Sequence, residues 1–138
     1  MTCTRRLTFC AGHRVLGHES RCAHPHGHNY VAEITAEAAL DSIGRVIDFG
    51  VIKATVGAWL DEYWDHAFLV YEADRDLMKV FDGHPDWHVA TLDVNPTAEN
   101  LADLLLSVSN DLLKSSDVRV VRVRLHETEN CYADAVQN

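Results

Sequence analysis

The sequence is short of the features that would send it into a membrane, out of the cell or onto nucleic acid. None of its apolar runs approaches the ~18 residues that a membrane span needs. The amino terminus, MTCTRRLTFC, carries arginines with no apolar stretch behind them, so no secretory signal is visible and a cytoplasmic location is expected. Cations are scarce: 12 Lys and Arg stand against 21 Asp and Glu, for a net charge of −9. Nucleic acid or an anionic membrane would need a basic patch, so neither is expected as a partner. The same balance sits awkwardly with any polyanionic substrate. The four cysteines, Cys3, Cys10, Cys22 and Cys131, are spaced too widely for a disulfide framework and are expected as thiols. Three prolines and an apolar share of 47% argue against disorder. The 138 residues read as one domain, 1–138, long enough for a real core.

What the chain does have is ordered hydrophobic pattern. Residues 5 to 13 alternate, with Leu7, Phe9, Ala11 and His13 on one face of a strand and Thr8 and Cys10 on the other. A second strand from residue 26 sets His26, His28, Tyr30, Ala32 and Ile34 on one face. Asp41 to Gly44 read as a turn, followed by a short extended piece from Arg45 to Phe49. From Gly50 to Trp64, Ile52, Val56, Trp59, Leu60 and Tyr63 have amphipathic helix spacing. A short helix around residues 77–81 and an extra strand within 87–94 are weaker signals. Asn95-Pro96-Thr97 opens a second long helix, capped by Asn95 or Thr97, with Ala98, Leu101, Ala102, Leu105, Val108 and Leu112 inward. Residues 118–127 and 131–136 are further strands. The order strand, strand, helix, helix, strand, strand implies an α+β domain: a four-stranded antiparallel sheet with two helices on one face.

Nine histidines are present, and five fall between residues 13 and 28. His26 and His28, two apart in a strand, point the same way. His13 ends the apolar face of the first strand, so a hairpin would bring all three imidazoles together. Three neutral nitrogens and one open position are the donor set of a catalytic zinc site. Cys22, in the loop entering the second strand, is either a fourth ligand or a thiol near the metal acting as acid, base or nucleophile. Asp65-His66 follows the first long helix, where a turn could direct both into one cleft and the carboxylate would hold the imidazole for proton transfer. On the third strand Val121, Val123 and Leu125 share a face that continues to Glu127. A carboxylate there needs a partner: either Arg5, Arg6 or Arg14, or a ligand edge with paired N–H donors.

Taken together and in order, FCAGH, C-x3-HGHNY, GRVIDFGVIK, WDHAFL, NPTAENLA and HET resemble the 6-pyruvoyl-tetrahydropterin synthase superfamily, from Phe9 to about Ala133. The resemblance implies the tunnelling fold, in which four-stranded sheets join between subunits into a barrel, usually as a homohexamer of two trimers. It implies zinc (Zn2+) on His13, His26 and His28, catalytic roles for Cys22, Asp65 and His66, and a pterin-anchoring Glu127, with active sites at subunit boundaries. Three residues between Cys22 and HGH resemble the 6-carboxy-tetrahydropterin synthases of the queuosine pathway, lyases that convert 7,8-dihydroneopterin triphosphate to 6-carboxy-tetrahydropterin, acetaldehyde and triphosphate. A pyruvoyl-forming enzyme and a zinc-containing pterin- or purine-binding homologue without that activity stay open. WDHAFLV departs from the family's commoner residues, and positive charge for a triphosphate would come from Arg14, Arg21, Lys53 or a neighbouring subunit.

Overall fold

A computed structural model describes residues Met1–Asn138. Strand β1 (Thr2–His13) starts earlier than its alternation suggests. It pairs antiparallel with β2 (His26–Glu37) along its whole length, from Thr2 opposite Glu37 to His13 opposite His26. β5 (Arg119–His126) adds antiparallel to β2, and β6 (Tyr132–Val136) to β5. These are the four antiparallel strands expected from the pattern.

The sheet itself is six-stranded, not four-stranded, in the order β4-β3-β1-β2-β5-β6. β3 (Ala67–Tyr71) runs parallel to the end of β1, and β4 (Val89–Leu92) parallel to β3. β3 escapes a periodicity reading because AFLVY is a continuous apolar run. Leu69 and Val70 point to opposite faces and are both buried, as in strands covered on both sides. β4 falls inside the 87–94 window. Phase also shifts in β5. A register irregularity opposite Thr35/Ala36 turns Val120 inward with Val123 and Leu125, and leaves Val121 half-exposed.

Residues 45–48 form no strand; Asp48 instead caps the first helix by accepting from the Gly50 N–H at 2.7 Å. That helix runs without a break through α1 (Phe49–Ile52), a π-helical stretch (Lys53–Gly57) and α2 (Ala58–Tyr63). Its large buried side chains, Ile52, Val56, Leu60 and then Trp64, fall every fourth position. A pure α-helix would rotate such a stripe off the core by about 40° per step; the wider π turn resets it. Trp64, rather than the exposed Tyr63, closes the stripe.

α3 (Arg75–Asp82) is capped by Asp74 and meets β3 through Phe81, whose ring centroid lies 5.1 Å from that of Phe68. In α4 (Ala98–Leu112) Thr97 is the cap, accepting from the Asn100 N–H, and Ala98, Leu101, Ala102, Leu105, Leu106 and Ser109 face inward. The two long helices and one face of the sheet enclose a single core that includes Phe9, Tyr30, Ile34, Leu60, Leu101, Leu105, Val123 and Leu125. No helix is long and apolar enough to cross a membrane.

Candidate active site

The antiparallel register puts His13 opposite His26 and Ala11 opposite His28, so three imidazoles stand on the core face at one end of the sheet. Their ring centroids are 4.6, 4.8 and 5.1 Å apart. Two of the rings are oriented by backbone carbonyls. His13 Nδ1 donates to the Pro96 carbonyl at 2.7 Å, and His26 Nδ1 donates to the His24 carbonyl at 2.6 Å. With both protons on Nδ1, the two Nε2 lone pairs face each other at 3.2 Å. Such an arrangement is repulsive unless a cation shares them. Zinc bonds of 2.0–2.1 Å in tetrahedral geometry would separate two nitrogens by about 3.3 Å. The carbonyls that hold the other nitrogens are the usual outer partners of metal-bound histidines.

His28 Nε2 is buried without a hydrogen bond, although Glu127 Oε1 lies 2.9 Å away. Burial pulls its pKa below the ordinary histidine value, against the pull of Glu127, and so favours the neutral, metal-binding form. The residues present fit a zinc ion. Glu127 is the fourth member of this group: its carboxylate is 3.6 Å from His13 Nε2 and sits below the ordinary range because of His13, with burial opposing. It is placed there by the tight turn into β6, in which the Glu127 N–H donates to the Cys131 carbonyl. None of Arg5, Arg6 and Arg14 pairs with it. Arg14 is taken by Asp74 in a two-pronged ion pair that draws the carboxyl below its usual range.

Cys22 lies in a short 3-10 turn (Arg21–Ala23), half-buried and outside the group of mutually close donor atoms. Its carbonyl accepts from the Val15 N–H at 2.7 Å. The loop carrying it is latched by Asn95, which accepts from the Leu16 N–H at 3.0 Å and donates to the Leu16 carbonyl at 2.8 Å. Asn95-Pro96-Thr97 therefore has three jobs in sequence: it latches the Cys22 loop, orients His13 and caps α4. Tyr30 was not singled out by sequence reasoning. Its hydroxyl is buried without a hydrogen bond, and burial, with the nearby Glu127 and Cys22 charges, pushes its pKa up. Its position two residues after H-x-H on the same face was the available signal.

Asp65 and His66 do meet each other, with His66 Nδ1 2.7 Å from Asp65 Oδ2. A left-handed backbone at His66 (φ 57°) lets two consecutive side chains converge. They meet against Cys10, on the face of β1 opposite the histidine trio. Within one chain, the Asp-His pair is not brought to the cleft of His13, His26, His28 and Cys22.

The sequence model of the 6-pyruvoyl tetrahydropterin synthase family matches residues 2–138. The chain is 40% identical to the 6-carboxy-5,6,7,8-tetrahydropterin synthase of Rickettsia bellii, over 96% of this chain and 97% of that one. It is 34% identical to the probable enzyme of the same name from Halobacterium salinarum, over 90% and 79%. In fold it is similar to an uncharacterized protein of Wolinella succinogenes (TM-score 0.84, 20% identity, 100% and 98% covered). It is likewise similar to the 6-pyruvoyl tetrahydropterin synthase of Caenorhabditis elegans (TM-score 0.71, 22% identity, 100% and 96% covered). The chain belongs to the 6-pyruvoyl tetrahydropterin synthase family.

Proposed function

We propose that this member of the 6-pyruvoyl tetrahydropterin synthase family is a zinc-dependent 6-carboxy-5,6,7,8-tetrahydropterin synthase, a cytoplasmic lyase on 7,8-dihydroneopterin triphosphate in queuosine formation. The observation that carries the chemistry is the pair of facing Nε2 lone pairs on His13 and His26 beside the buried Nε2 of His28. The name follows the Rickettsia relatives, which match over nearly the whole chain.

In this reading His13, His26 and His28 hold the ion, which when bound supplies Lewis acidity toward the side-chain oxygens of the substrate. Glu127 accepts the paired N–H donors of the pterin edge, turning from the imidazoles toward the ligand. Cys22 moves a proton at the substrate side chain, and Asp65 orients His66 as its acid–base partner. Because the Asp-His pair stands on the other face of β1, it serves the site of a neighbouring subunit. The assembly is a homohexamer of two trimers, each chain contributing residues 1–138 as one domain. Open strand edges support this: β1 meets β3 only through Ala11–His13, and β6 has β5 alone as neighbour. Lys53 shares a cleft of about 550 Å³ with Arg5, Arg6 and Asp61. This cleft lies toward the opposite end of β1 from His13, so its cations would serve a triphosphate only at a neighbouring subunit's site.

Incubation of the purified protein with 7,8-dihydroneopterin triphosphate tests the reading. Acetaldehyde and a 6-carboxy pterin are expected. A pyruvoyl pterin would move the chain to the other branch, and tight pterin binding without turnover would make it a binding protein.

A further inference from the structure

We propose that Cys10, Asp65 and His66 form a second metal site, for a thiophilic divalent cation of the zinc type, on the face of β1 opposite the histidine trio. A thiol, a carboxylate and an imidazole are the three commonest zinc donors, and here one atom from each lies within 4.8 Å of the others. Cys10 Sγ is 3.7 Å from His66 Nδ1 and 3.6 Å from Nε2. Zinc–sulfur and zinc–nitrogen bonds of about 2.3 and 2.0 Å at a tetrahedral angle would set sulfur and nitrogen about 3.5 Å apart. The nearly equal distances to both nitrogens place the sulfur against the ring, so the exposed His66 side chain must turn to aim a lone pair at a shared cation. The third side of the triangle, Asp65 Oδ2 to His66 Nδ1 at 2.7 Å, is a hydrogen bond. It would open to about 3.3 Å once the cation replaces the proton between them. Binding releases the Cys10 thiol proton to solvent and moves the imidazole proton to Nε2. Three protein donors then leave one corner open.

The site is held together by the backbone. The Cys10 N–H donates to Asp65 Oδ1 at 2.9 Å, and the His66 N–H donates to the Cys10 carbonyl at 2.7 Å. His66 holds a left-handed conformation, unfavourable in a residue with a side chain. Its effect is to aim two adjacent side chains at one sulfur. In the single chain the His66 side chain is 77% exposed, at the rim of a cleft of about 390 Å³ that includes Cys10, Gly12, Gly27 and Asn29. In the proposed assembly a cation would therefore reach it through the cleft shared with the neighbouring subunit. A cation here would occupy the Asp65–His66 pair. Excess metal should therefore inhibit turnover, a consequence that rests on the acid–base role given to that pair above.

The test is titration of the full-length, zinc-loaded protein with Co2+. The expected result is a further equivalent per chain with a thiolate-to-cobalt charge-transfer band. The band should be lost in Cys10→Ser, kept in Cys22→Ala, and need at least tenfold more cobalt in His66→Ala. No further equivalent at tenfold molar excess, or a band that survives Cys10→Ser, would overturn the site. Cobalt that binds with all these signatures yet leaves turnover unchanged would uphold the site and refute the acid–base reading of Asp65 and His66.

Discussion

Asn95→Ala tests whether the chain segment before α4 couples the Cys22 loop to the histidine trio. The substitution removes two hydrogen bonds to the backbone of Leu16, at 3.0 and 2.8 Å, across a separation of 79 residues. Each is worth about 1 kcal/mol net, and more where the abandoned backbone group stays out of water. Leu16 is half-buried, so the total should be about 2–3 kcal/mol. For a chain of 138 residues the unfolding entropy is about 0.3 kcal/mol per kelvin, so Tm should fall by roughly 7–10 °C. Metal content should hold, because the Pro96 carbonyl that orients His13 is kept in place by the Thr97 cap and by Asn100 Nδ2, which donates to the Asn95 carbonyl. Turnover should drop, since Cys22 rides on the freed loop. Thermal unfolding, zinc analysis and product assay on one preparation check all three. A Tm change below about 2 °C, or loss of zinc with Tm preserved, would refute the latch.

Further expectations follow from individual contacts. His26→Ala and His28→Ala should each lose zinc and turnover together, because two imidazoles are too few to hold the ion; stoichiometric zinc in both variants would refute the ligand set. Cys22→Ala should keep zinc, as expected of a thiol outside the cluster, and lower turnover by about 10² or more; zinc loss measured by atomic absorption would put the thiol in the coordination shell. Asp74→Asn breaks the pair with Arg14 and should cost about 2–3 kcal/mol at neutral pH, less than a fully buried pair because Arg14 is partly exposed. Since the folded carboxyl is held below its ordinary 3.8, this stability is present above pH ~4 and lost as pH falls through the lower folded value. Denaturant melts of the two proteins should therefore converge below that window; a constant gap down to pH 2 would show that the effect is packing.

What could be read from the sequence, and what could not, divides along a physical line. The strict alternation of β1 and β2 and the fourfold spacing in the helices are one-dimensional records of which side faces the core. Leu7, Phe9, Ala11 and His13 were legible for that reason, and His13, His26 and His28 came with them, since a two-residue period fixes their common face. β3 carries no such record, because a strand buried on both sides has no polar side to mark its period. The phase of Val121 was misread because a bulge depends on β2, over eighty residues away, and leaves no local trace. The same limit applies to the Asp65–His66 pair. Its convergence needs one left-handed residue, and its partner Cys10 is 55 residues distant and on the opposite face from His13. Local pattern tells which way a side chain points from its own strand. Which of two faces a distant turn will cap is decided only when β3 docks beside β1, and that docking is what separates Cys10, Asp65 and His66 from the histidine trio across the thickness of a single strand.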